Sequence, residues 1–230
     1  MTAHRLTIDI YSDVMCPWCL IGYGQLTKAL KELEGEIAAE IRWRPFELNP
    51  QMPPEGEEQE AHLQRKYRRP AEEGARLRGQ MKAIAEGAGV SLSWEGEGEA
   101  PPAMMWNTRD CHKLLALALE QAGPKAQTAL KLALFKAHFN HRRNLGDRTV
   151  LLDIAAENGL HREAAKQRVT AGTHKAVAAA LQASAALTEH VVAEAVAEEA
   201  AEQALAAQAV DAPSTDEVEQ AAQADAEPAA

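Results

Sequence analysis

The stretch Tyr11-Ser12-Asp13-Val14-Met15-Cys16-Pro17-Trp18-Cys19 decides how this chain is read, because it sets two of the three cysteines one helical turn apart at a change of periodicity. Before it, Leu6, Ile8 and Ile10 alternate with Thr7, Asp9 and Tyr11, the period-two pattern of a strand with one apolar face. After it, Leu20, Ile21, Leu26, Leu30 and Leu33 recur near helical spacing as far as Gly35. The pair therefore sits where a strand becomes a helix.

That position has chemical consequences. The first turn of a helix presents unpaired backbone N–H groups and the positive end of the macrodipole, which favour a thiolate at Cys16 over a thiol. Its pKa is expected to fall from the free value of about 8.5, making the sulfur a nucleophile and a leaving group near neutrality. Cys19, one turn deeper on the same side, is placed to close an intramolecular disulfide after Cys16 has attacked a partner. Pro17 fits an early helical position, having no N–H to leave unsatisfied and a φ already helical. Trp18 carries only an indole N–H, so activation of Cys16 is expected to come mainly from backbone dipoles.

A Cys-x-x-Cys pair between a strand and a helix, with a second strand following, reads as a thioredoxin-like redox motif. A metal site would need two more ligands. Cys111 and His112 would supply them only from a distant helix, without the spaced second pair typical of structural zinc, so no metal is expected. An incidental pair of small apolar residues is the third reading, and the proline between them argues against it.

The 230 residues suffice for one domain with an insertion, and a hydrophobic content of 46% supports a core. Met1-Thr2-Ala3-His4-Arg5 leads straight into the first strand with no apolar signal run, and no stretch reaches membrane-spanning length. A cytoplasmic protein without membrane partners is expected, and there a disulfide is more often catalytic than structural. The net charge of −10 belongs to the end of the chain. Of 34 acidic residues 11 follow Lys175, leaving 23 beside all 24 basic ones. The nearly neutral body gives no reason to expect nucleic-acid binding.

Along the chain, Ile37 to Phe46 reads as a second strand, parallel to the first because a helix connects them. Residues 59–87 read as a long charged helix broken near Pro70, with its Arg-Lys-Tyr-Arg-Arg run taken as a solvated face. Val90 to Trp94 is a candidate extended piece between glycine-rich loops. Asn107 or Thr108 caps a helix holding Cys111, Leu114, Leu115 and Ala118, and another follows Gly123-Pro124. Cys111 is expected to be a buried, inert thiol, and His138 and His141 to lie on the surface near a helix end. Asp147 is placed to cap a helix from Thr149 to Asn158, and Arg162 to Val169 makes one more.

The division expected is 1–55, the first half of a thioredoxin-like domain; 56–175, a helical insertion; and 176–230, an acidic alanine-rich tail. That tail is read as helical over 176–209 and disordered beyond Asp211.

At this point the block Asp13-Val-Met-Cys-Pro-Trp-Cys-Leu-Ile-Gly22, the strand ending Arg44-Pro-Phe-Glu-Leu-Asn-Pro50, the Asn107-Thr108 helix and the segment Ala133 to Phe139 through Asp147 resemble the DsbA-like thioredoxin-fold oxidoreductases, in particular the FrnE-like branch. The resemblance implies an α/β fold of thioredoxin type split by a helical insertion, with Cys16 as nucleophile and Cys19 as resolving thiol. It also implies a strand hairpin after the insertion, opened by a cis-proline loop. No proline lies between Pro124 and Pro213, so that hairpin is expected to be missing and replaced by the Ala/Glu-rich tail, with weaker substrate alignment as the result.

The activity expected is thiol-disulfide exchange with protein or small-thiol substrates, glutathione being allowed as a co-substrate. Asp13 is a candidate proton acceptor for Cys19 or else a turn residue, and Pro17 and Trp18 are supporting positions. Two alternatives stay open: a glutathione-dependent isomerase or transferase of the same fold, and a non-catalytic interaction protein with a vestigial site. A homodimer that completes the sheet is compatible with the chain.

Overall fold

The computed structural model describes residues 3–68, 70–172 and 175–187. Two parallel strands open it, β1 (His4–Ser12) and β2 (Ile37–Pro45), joined by α1 (Pro17–Glu32). Their register runs from His4 opposite Ile37 to Ser12 opposite Pro45. The crossover helix that makes them parallel is the one the cysteine block begins.

Helices follow. A clip of two-residue strands, β3 (Glu57–Glu58) and β4 (Met104–Met105), pairs antiparallel and brackets α2 (Gln59–Tyr67) and α3 (Ala71–Gly87). The break between α2 and α3 falls at Arg68, whose φ of 52° ends α2 ahead of Pro70. Next come α4 (Arg109–Phe139), α5 (Arg148–Glu157) and α6 (Arg162–Thr170), and residues 175–187 are again helical. Within α4 the backbone leaves helical geometry at Gly123 (φ 82°) just before Pro124, so its halves are separate segments. Asp147 caps α5 by accepting the Thr149 N–H at 2.7 Å.

Two apolar clusters hold these elements. One is helical, with Leu114, Leu130, Leu134, Leu151 and Val169 buried around Val14 and Met15. The other packs Leu20, Ile21 and Trp43 against Ala85, Leu92, Phe135 and Phe139. The cysteine block touches both, since Val14 and Met15 enter the first and Leu20 and Ile21 the second. Four buried side chains thus fix the turn between β1 and α1 from two directions. Close approach also shapes the back of α1, where a Cβ at Gly24 would lie 2.7 Å from the Ala88 carbonyl oxygen.

The outer edge of β2 is closed by a side chain. Gln127 of α4, almost fully buried, accepts the Trp43 N–H on Oε1 and donates Nε2–H to the Trp43 carbonyl, both at 2.9 Å. The Trp43 indole N–H donates to Thr128 Oγ1 at 3.0 Å. Gln127→Leu leaves two backbone groups of Trp43 buried and unpaired. A loss of about 1–3 kcal/mol for each such group is expected, read as a lower urea midpoint at unchanged slope.

Several expectations meet corrections or limits. His138 is 2% exposed, set edge-on to Phe139 with ring centroids 4.6 Å apart, and is no surface residue; His141 is exposed. His138 falls on the apolar stripe with Leu134 and Phe135, and burial holds its pKa down to about 3, so the neutral ring packs as a hydrophobe. Val90 to Trp94 forms no strand. Among the described residues β1 pairs with β2 alone and no peptide bond is cis. The start of the alanine-rich segment is helical, with Val177 buried. The rest of the tail, 188–230, lies outside the described residues. No helix among those described is long and apolar enough to cross a membrane.

Candidate active site

Cys16 is the N-cap of α1 and Pro17 its first helical residue, with no side chain capping this end. The Cys16 N–H donates to the Asp13 carbonyl and the Cys19 N–H to the Cys16 carbonyl, each at 3.2 Å. Both thiols are free and half-buried, while Trp18 between them is 53% exposed. With no side chain accepting at this end, the field of the helix start falls beside the Cys16 sulfur.

The two thiols titrate as a pair, each shifted chiefly by the other. Besides its partner thiol, the Ser12 side chain, the Asp13 backbone and Lys131 favour the thiolate at Cys19 against the cost of burial. These contacts draw the Cys19 thiol down to about 6. Its partner Cys16 is pushed up by Cys19 and by burial. A pair that reaches its first thiolate near neutrality shares one proton, and moving that proton between the sulfurs interchanges their roles.

Asp13 lies directly beneath and is 1% exposed. Its Oδ1 accepts the Met15 N–H at 3.2 Å and its Oδ2 the Leu48 N–H at 2.7 Å, tying the cysteine turn to the loop after β2. Burial nonetheless raises its carboxyl above the ordinary range, against the pull of those amides, Lys131 and the Thr108 side chain. The turn role and a disposition to hold a proton coexist in one residue.

Two further groups come from α4: Lys131, which the sequence did not single out, and His112, weighed there only as a metal ligand. Lys131 is fully buried, its Nζ donating to the Ser12 carbonyl at 3.1 Å and lying 4.8 Å and 5.2 Å from the Phe135 and Trp43 ring centroids. Burial lowers its pKa to about 8, with Asp13 and Cys19 opposing. His112 is 2% exposed, and its Nε2, with no hydrogen-bond partner, stands 4.0 Å from Asp13 Oδ1. Burial takes this imidazole down to about 3, so it is neutral. Their signal was a polar residue on an apolar stripe: His112 and Lys131 sit among Cys111, Leu115, Leu130 and Leu134.

Cys111 is wholly buried, its Sγ 3.9 Å from the Leu145 carbonyl, and burial pushes its thiol up. Among the described residues no group of three or more His, Cys, Asp or Glu is placed to hold a metal ion.

A free dithiol at the start of the helix that crosses between two parallel strands, with helices inserted after the second, is the architecture of a thioredoxin-type protein of the DsbA kind. The chain belongs to that family: the DSBA-like thioredoxin domain model matches residues 7–187. Its fold resembles the crystal structure of a probable DsbA oxidoreductase from Streptomyces coelicolor, with 26% identity, a TM-score of 0.68, and coverage of 79% of this chain and 75% of that one. The cytosolic disulfide reductase DsbM of Pseudomonas aeruginosa shares the fold at 21% identity, TM-score 0.51 and 81% of each chain. In sequence, the uncharacterized protein YwbO of Bacillus subtilis is 24% identical over 184 residues, 77% of this chain and 76% of that protein.

Proposed function

We propose that this chain is a thiol-disulfide oxidoreductase of the FrnE-like branch, with Cys16 as nucleophile and Cys19 as resolving thiol. One observation carries the reading: two free thiols lie at the start of α1, with no side chain capping that end and an exposed tryptophan between them. In the reducing direction the shared proton moves to Cys19, and the Cys16 thiolate attacks one sulfur of a substrate disulfide. The Cys16–substrate bond forms as the substrate S–S bond breaks, and the electron pair leaves on the other substrate sulfur, which takes up a proton.

Resolution needs Cys19 deprotonated again. Asp13, a carboxylate made more basic by burial, accepts that proton. Cys19 then attacks the Cys16 sulfur, the intramolecular disulfide forms, and the second substrate sulfur leaves. Two electrons have passed to the substrate, and the oxidised pair runs the sequence backwards on a dithiol. Protein disulfides and small thiols, glutathione among them, are the substrate classes, with Trp18 as the apolar surface beside Cys16. A reducing, cytoplasmic setting suits a pair that must be recharged.

Cys19→Ser is expected to stop the sequence after its first step. Incubated with a disulfide substrate, that variant should accumulate a mixed disulfide at Cys16, read as a mass increment that dithiothreitol removes. An adduct on Cys19 in the reciprocal variant Cys16→Ser, with none on Cys16 in Cys19→Ser, would reverse the assigned roles.

A further inference from the structure

The largest fully buried side chain among the described residues is that of a lysine, Lys131. An ammonium in such a place is costly unless an anion accompanies it. Its hydrogen bond to the Ser12 carbonyl and its place against two aromatic rings direct the group without neutralising it. The ionisable groups within its field are Asp13, Cys16, Cys19 and Cys111, with His112 facing the same cluster. Cys111 keeps its proton because burial pushes its thiol up, and His112 is neutral. The compensating charge therefore belongs to Asp13 and the dithiol. A packing role alone would be met by methionine or leucine, which fill the same space without desolvating a charge.

We propose that Lys131 is a positioning residue for the dithiol: its buried ammonium is the counter-charge of the anion held among Asp13, Cys16 and Cys19, and so sets how readily the pair yields a thiolate. This deepens, and rests on, the redox reading of the site above. It gives the inserted helix a chemical task, since α4 delivers the charge to a carbonyl 119 positions earlier in the chain.

The test follows alkylation of the reduced full-length chain by iodoacetamide against pH, in the wild type, Lys131→Met and Phe135→Leu. The last alters packing beside the ammonium and keeps the charge. The midpoint should rise by about one pH unit in Lys131→Met, roughly a tenfold loss of alkylation below both midpoints, and stay in place in Phe135→Leu. An unmoved midpoint in a folded Lys131→Met, or an equal move in both variants, overturns the proposal. If Lys131→Met does not fold, the wild type carries the test in reverse, because coupling between two charges is reciprocal. In a lysine-labelled chain the Lys131 ammonium, followed by NMR, must titrate at lower pH when Cys16 and Cys19 are joined as a disulfide than when they are reduced; equal midpoints overturn it. Neither measurement reads turnover. A chain that shows these shifts and catalyses nothing would sink the oxidoreductase reading while leaving the electrostatic role of Lys131 standing.

Discussion

Cys16→Ser is expected to bring the catalysed reduction of a protein disulfide down to the uncatalysed background. The reacting species is a thiolate, and a serine hydroxyl is not ionised at neutral pH and cannot form the mixed disulfide. No other sulfur can take over. Cys19 is the partner that resolves, and Cys111 is 0% exposed with its thiol pushed up by burial. The measurement is turnover on one disulfide substrate by the wild type, Cys16→Ser and the Cys16→Ser/Cys19→Ser double variant. Turnover by Cys16→Ser clearly above the double variant would contradict the assignment.

Mild acid is expected to weaken the fold severely, through two buried histidines. His112 and His138 are buried and neutral, with pKa values lowered from 6.5 to about 3. In the unfolded chain both regain ordinary values near 6.5. Between those limits the unfolded state binds more protons, so stability is full above pH 6.5 and falls as pH drops toward 3. Each histidine contributes about 1.4 kcal/mol per pH unit across that window, against a typical total of about 5–15 kcal/mol. Asp13 acts in the opposite sense, because its folded pKa is raised and protonation relieves a buried carboxylate. It is one group against two. Urea midpoints at pH 7 and pH 4.5 should differ strongly in the wild type, and His138→Leu should shrink that difference by about half. A wild-type midpoint unchanged between the two pH values would show that these rings are not held neutral.

The β1–α1–β2 start was legible because each piece has a local cause. Alternation from Leu6 to Ile10, Pro17 at the head of a helix and the short path from α1 to β2 each act within a few residues. The Asp147 cap and the breaks at Pro70 and Gly123 were legible for the same reason. The two-residue clip of β3 and β4 has no period to detect, and Glu57 and Met105 are 48 positions apart. His138 was misplaced because a histidine on an apolar stripe carries no mark of whether its ring is charged. The site was half legible: Cys16, Cys19 and Asp13 lie within seven consecutive residues, whereas Lys131 and His112 reach them only through tertiary packing.

The Gln127 amide that closes β2 bears on the order in which the protein consolidates. The partner of the Trp43 N–H is a side chain 84 positions further along, so that proton is protected only once α4 has docked. In hydrogen–deuterium exchange the Trp43 amide therefore opens with the second half of α4, and neighbours protected by β1 alone need not follow it. A single backbone proton in the strand reports whether the inserted helices are seated, and with them the lysine that stands under the thiols.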